Sequence, residues 1–156
     1  MKSYLLSKAT LLCLLVGSAV LIVACSKGTM GDQTFTLVGN ASGSQETPSR
    51  STAATASLTG KYNATTHTIE YDIDFNGLTA AAYVAHFHGP ALAGVAGPPI
   101  VDLTIATKGV TGKLKGTAII PDSMEAHLLA GRLYYNIHTT TYPTGEIRGQ
   151  IRAAAD

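Results

Sequence analysis

Two of the chain's five histidines stand two residues apart in Ala85-His86-Phe87-His88-Gly89-Pro90, and a third closes the run Leu133-Tyr134-Tyr135-Asn136-Ile137-His138. Imidazole nitrogens are good ligands for Zn²⁺ and Cu²⁺, so three of them on one face would make a metal site. Strand parity can put them there, because successive side chains point to opposite faces. His86 and His88 then share one face, while Ala85 and Phe87 share the other. The same rule sets Leu133, Tyr135 and Ile137 against Tyr134, Asn136 and His138, and sets Ile147 and Ile151 against Glu146, Arg148 and Gln150. If the three segments lie in one sheet with Phe87, Ile137 and Ile147 toward the core, its other face carries His86, His88, Asn136, His138, Glu146 and Arg148.

Two chemistries fit such a face. One is a copper or zinc site, open to redox chemistry; the copper-zinc superoxide dismutases also carry a His-x-His strand, an analogy at the level of the fold. His67 and His127 are the remaining histidines, and neither is well placed as a fourth ligand. The other is a hydrogen-bonded network that fixes how Gly89-Pro90-Ala91-Leu92-Ala93-Gly94-Val95-Ala96-Gly97-Pro98-Pro99 leaves its strand, since buried polar groups must find partners. In that network Arg148 would pair with Glu46, tying the first motif to the last strand, or would meet an anionic ligand. Gly145 and Gly149 read as places of close backbone approach. Catalysis finds no support: there is no Gly-x-Ser-x-Gly, and the carboxylates are scattered singly, so no catalytic residue is assigned.

The elements that must position these side chains are short runs rich in Thr, Val, Ile and Tyr, separated by Gly, Pro, Asn and Ser clusters. Eight strands are expected, at 34–39, 52–60, 67–78, 81–89, 99–105, 111–120, 131–139 and 144–152. One segment, 121–131, breaks the period of two: Met124 and Leu128 are four apart, Asp122 and Glu125 are spaced as a capping box, and Gly131 is a stop. The expected fold is all-β, an Ig-like antiparallel β-sandwich of about eight strands with one short helix.

Upstream, Lys2 and Lys8 precede an apolar run without acidic residues that ends in Ile22-Val23-Ala24-Cys25. This is the layout of a signal peptide over 1–24, and its end resembles the bacterial lipobox, with Cys25 as the lipid attachment site. Residues 25–33 then read as a lipid-anchored tether and 34–153 as the domain. Cys13 leaves with the signal and Cys25 carries lipid, so no disulfide or thiolate chemistry remains. Eleven basic residues against ten acidic ones give no basic face for nucleic acid.

Four motifs occur in order: Ser-Gly-Ser-Gln-Glu-Thr-Pro at 42–48, the segment 84–103 containing both histidines, His127 to Thr139, and Tyr-Pro-Thr-Gly-Glu-Ile-Arg-Gly-Gln-Ile at 142–151. Together they resemble the CHRD domain, a module named after chordin and found in bacterial secreted proteins and lipoproteins. The resemblance implies a secreted β-sandwich with a binding or structural role more readily than an enzymatic one, and no cofactor is expected, the alternative being copper or zinc at the histidines. Its partner would be a protein or glycan, and the lipid would hold it to a membrane of the bacterial cell envelope. Ser26 after Cys25 favours the outer membrane.

Overall fold

The computed structural model describes residues 33–156. Cys25, the signal peptide and all but the last residue of the tether lie outside the described residues. Nine strands alternate with little else: β1 (Thr34–Ser42), β2 (Thr55–Asn63), β3 (Thr68–Asn76), β4 (Ala82–His88), β5 (Pro99–Asp102), β6 (Gly112–Ile119), β7 (Tyr134–Thr139), β8 (Ile147–Gln150) and β9 (Arg152–Ala155). All pairings are antiparallel, in the order β5-β4-β7-β8-β1-β2-β3-β6, with β9 against β1. Among the described residues no helix is long and apolar enough to cross a membrane.

The sheet is nearly closed on itself, so that β4, β5, β7 and β8 face β1, β2, β3 and β6 over one core. At one seam β1 ends against β8 through Ser42 and Arg148; at the other, Ile105 bridges Leu114 of β6. The Tyr71 ring of β3 meets the Phe87 ring of β4 edge-on at 5.5 Å, which is the preferred aromatic geometry. Tyr71 also accepts the backbone N–H of Thr104 through its hydroxyl. Leu37, Leu58, Ile69, Ile73, Leu114 and Ile137 are fully buried in the same core. Each contributes about 1.5–3 kcal/mol by leaving water.

The sheet is therefore the all-β antiparallel sandwich read from the pattern, with two shifts of element. β2 runs on to Asn63 because Tyr62 continues the inward alternation and the β2–β3 register holds from Thr55↔Asn76 to Asn63↔Thr68. The Asn63 side chain shapes the turn by accepting the N–H groups of Thr65 and Thr66. The last expected strand is two, because the Ile151 N–H turns to Leu133 O between a β8 paired with β7 and a β9 paired with β1. The expected helix is a 3₁₀ turn at Asp122–Met124 followed by α1 (Glu125–Leu129), and Gly131 ends it at φ +68°. No capping-box bond forms, since Glu125 instead accepts from the Tyr62 hydroxyl at 2.7 Å.

Candidate functional site

β7 is buried at all six positions, so its outward face does not meet solvent. Three loops cover it: residues 43–54, 89–98 and 140–146. Beneath them the strand register sets a row straight across four strands: Asp102 of β5 opposite His86 of β4, His86 opposite Asn136 of β7, and Asn136 opposite Arg148 of β8. His88 stands opposite Tyr134, and His138 opposite Val84.

His86, His88 and His138 meet on this face. Each offers a ring nitrogen, and the three nitrogens lie within 4.8 Å of one another. His86 Nδ1 is 3.2 Å from His138 Nε2. His88 Nε2 and His138 Nε2 are each 3.0 Å from Asn136 Oδ1. On their far sides, His88 Nδ1 donates to Gly97 O at 3.0 Å and His138 Nδ1 donates to Pro143 O at 2.8 Å. His86 Nε2 faces the Asp102 carboxylate at 3.3 Å. Burial lowers the pKa of His86, and the neighbouring His138 and His88 add to the effect. Burial also lowers His88, against the opposing pull of the Gly97 carbonyl and Asn136. Both rings are thus held neutral at pH 7.

Arg148 is 1% exposed and lies beside this cluster. The expected pairing with Glu46 is replaced by other bonds: the guanidinium donates to Leu92 O, Val95 O, Thr47 Oγ1 and Gln150 Oε1. It also lies over the Tyr134 ring at 3.5 Å, and that ring stacks on His88 at 4.7 Å. Loop carbonyls win over the carboxylate because residues 89–98 fold back on the sheet, pinned also by Gln150 Nε2 to Ala91 O. Glu46 accepts instead from the Thr47 N–H and from Asn136 Nδ2.

Glu146 is fully buried, but it does not join the histidines. Its carboxylate accepts from Thr52 Oγ1, the Thr79 N–H, Thr79 Oγ1 and Thr139 Oγ1 at 2.7–2.9 Å. Parity fails here because β8 begins only at Ile147, after Gly145 at φ +119°. Burial alone would raise the Glu146 pKa; the bonds from Thr139, Thr79 and Thr52 outweigh it and hold the group below its ordinary value.

Asp102, the Gly97 and Pro143 carbonyls, and the Tyr134 ring belong to the site and were not singled out for it from the sequence. Two of these carry a signal: parity sets Tyr134 on the face of Asn136 and His138, and a β4–β5 hairpin sets Asp102 opposite His86. His67 is engaged elsewhere, with Asp122 and Glu125, and His127 is partly buried on α1. Chemically, the arrangement offers three imidazoles and one amide oxygen, a donor set for a late first-row divalent ion.

Comparison with curated proteins and with solved structures gave no match. The family model of the CHRD domain matches residues 37–151, from the first core residue of β1 to the break between β8 and β9. That stretch contains the histidine face, all three loops over it and both seams of the sheet, and on it the chain belongs to the CHRD domain family.

Proposed function

We propose that this chain is a non-enzymatic, lipid-anchored binding module of the bacterial cell envelope, working through the loops over β4, β7 and β8. The placement of those loops carries the proposal. β1 starts at Thr34 and ends at Ser42 beside Arg148, and nine residues of strand span roughly 27 Å at about 3.4 Å per residue. A chain held to lipid through Cys25 therefore presents residues 43–50 and 89–98 at the end away from its anchor. Leu92 and Val95 stand on the outer surface there, 61% and 53% exposed, above a backbone pinned by Arg148. Such a rigid loop with apolar tips suits a protein or glycan partner. Binding rather than turnover also fits the two buried charged groups beside those loops: Arg148 is committed to Leu92 O and Val95 O, and Glu146 to Thr52, Thr79 and Thr139.

Fractionation of cells tests the anchor. The full chain is expected in membranes and Cys25→Ser in the soluble fraction or unprocessed; a normally processed Cys25→Ser protein still partitioning into detergent would sink the lipoprotein assignment. A photo-crosslinker at Ala93 tests the surface. It is expected to trap a partner in living cells, with capture reduced by Leu92→Ser and Val95→Ser, whereas a crosslinker at Thr59 traps none. Equal capture at both positions would overturn the loop assignment.

A further inference from the structure

We propose that His86, His88 and His138 form a binding site for one divalent transition metal ion of the zinc or copper type, with Asn136 Oδ1 as a neighbouring oxygen ligand. This goes beyond the binding-module function and stands independently of it.

The hydrogen bonds on the far sides of the rings decide which nitrogens are free. A carbonyl oxygen only accepts, so His88 Nδ1, against Gly97 O, and His138 Nδ1, against Pro143 O, each carry the ring proton. With the Nδ1 proton donated outward, Nε2 of each ring is the nitrogen turned toward the cluster. A carboxylate facing His86 Nε2 places that ring's proton on Nε2 and leaves Nδ1 bare. Three lone pairs thus converge with Asn136 Oδ1, whose amide is oriented by donation from Nδ2 to Glu46 Oε1. The centre of the cluster holds four acceptors and no donor. Turning the Asn136 amide over would supply a donor to the histidines, but would set its oxygen against the buried Glu46 carboxylate.

A cation resolves this arrangement. Each imidazole already has the outer hydrogen bond that metal-ligating histidines require to fix tautomer and orientation: two to backbone carbonyls, one to a carboxylate. One spacing already matches what an ion needs, and the third nitrogen lies within 4.8 Å. Nitrogens at about 2.0–2.1 Å from a tetrahedral centre lie roughly 3.3 Å apart, and His86 Nδ1 and His138 Nε2 are at 3.2 Å. Nitrogen donors without thiolate select zinc or copper over magnesium and calcium, which take oxygen ligands. The three ligands come from β4 and β7, paired central strands, so the site rests on rigid elements.

The test is titration of the full chain, purified in detergent and freed of metal with a chelator, with Zn²⁺, Cu²⁺ and Mg²⁺ by calorimetry. One Zn²⁺ or Cu²⁺ per chain is expected, and no Mg²⁺. Electron paramagnetic resonance of the Cu²⁺ form should show hyperfine coupling to imidazole nitrogens. His86→Gln is expected to weaken binding on the order of 100-fold, and Asp102→Asn by about 10-fold, the range over which outer hydrogen-bond partners act. Both positions reach solvent, with side chains 17% and 89% exposed, so the variants should fold, as a thermal melt will show. Absence of saturable Zn²⁺ and Cu²⁺ binding overturns the proposal and leaves the histidines as a structural network. Binding that survives His86→Gln unchanged also overturns it, since the ion would then sit elsewhere.

Discussion

Arg148 lies over Tyr134, its guanidinium carbon 3.5 Å from the ring centroid, and from that position reaches two carbonyls of a loop more than fifty residues upstream in sequence. The stack and the fork act together, because only a planar guanidinium can lie on a ring and still donate sideways to Leu92 O and Val95 O. Lysine cannot do both. Arg148→Lys is expected to destabilise the domain by about 2–4 kcal/mol, since hydrogen bonds from charged donors are worth more than neutral ones. Hydrogen exchange should quicken through 89–98 while the β2–β3 hairpin keeps its protection. Unchanged exchange in the loop would mean that its fold does not depend on Arg148.

Glu146 gives the domain a specific acid sensitivity. Its folded pKa lies below the ordinary value of about 4.3. In the window between the two values the unfolded chain binds more protons, so stability rises with pH there. The contribution is fully present above the unfolded pKa and is lost as pH falls through the folded one. Glu146→Gln removes it, at a cost on the order of 2 kcal/mol at neutral pH. Urea melts from pH 7 to pH 3 are expected to show the gap between wild type and variant closing at the acid end. A gap constant across that range would show that the charge is not what matters.

Phe87 is the inward neighbour of both β4 histidines and meets Tyr71 across the core. Phe87→Ala is expected to cost about 3–5 kcal/mol, through lost transfer energy and the cavity left behind. Phe87→Leu fills most of that space and should cost markedly less in the same denaturant melts. Equal losses would show that ring geometry, not volume, holds the two faces together.

What was legible in the sequence follows from where strand parity applies. Inside β4 and β7 the alternation Phe87 in, His86 and His88 out, Ile137 in, Asn136 and His138 out is enough to place the histidines on one face. Parity also places Arg148, since Ile147 anchors β8 inward at 0% exposure. It fails at Glu146, one residue before β8, because a glycine at positive φ breaks the alternation and re-aims the carboxylate toward Thr52, Thr79 and Thr139. The Arg148–Glu46 pairing that the sequence suggests does not form, for a related reason. Charge complementarity is readable in a sequence, whereas the backbone carbonyls of a loop folded back on a sheet are not. The Gly97 and Pro143 carbonyls that orient two of the histidines carry no residue-type signal at all.

Gly145 separates strain from collision. Its φ of +119° disfavours any L side chain, and a Cβ there would overlap Glu46 Oε1 and come within 2.8 Å of Asn136 Nδ2. Gly94 has a positive φ as well, +76°, but a Cβ there meets nothing within 4 Å. Gly94→Ala should therefore cost only the backbone term, about 1 kcal/mol, and leave the polar layer intact. Gly145→Ala should cost on the order of 3 kcal/mol or more, because the Glu46 carboxylate is buried and has little room to retreat without giving up Asn136. Once Asn136 loses that anchor its amide is free to turn and donate to His88 and His138, occupying the lone pairs that the metal would use. Zn²⁺ affinity should accordingly fall in Gly145→Ala and hold in Gly94→Ala, measured on variants confirmed as folded by circular dichroism. Equal affinities in the two variants would show that the Glu46–Asn136 contact does not orient the site.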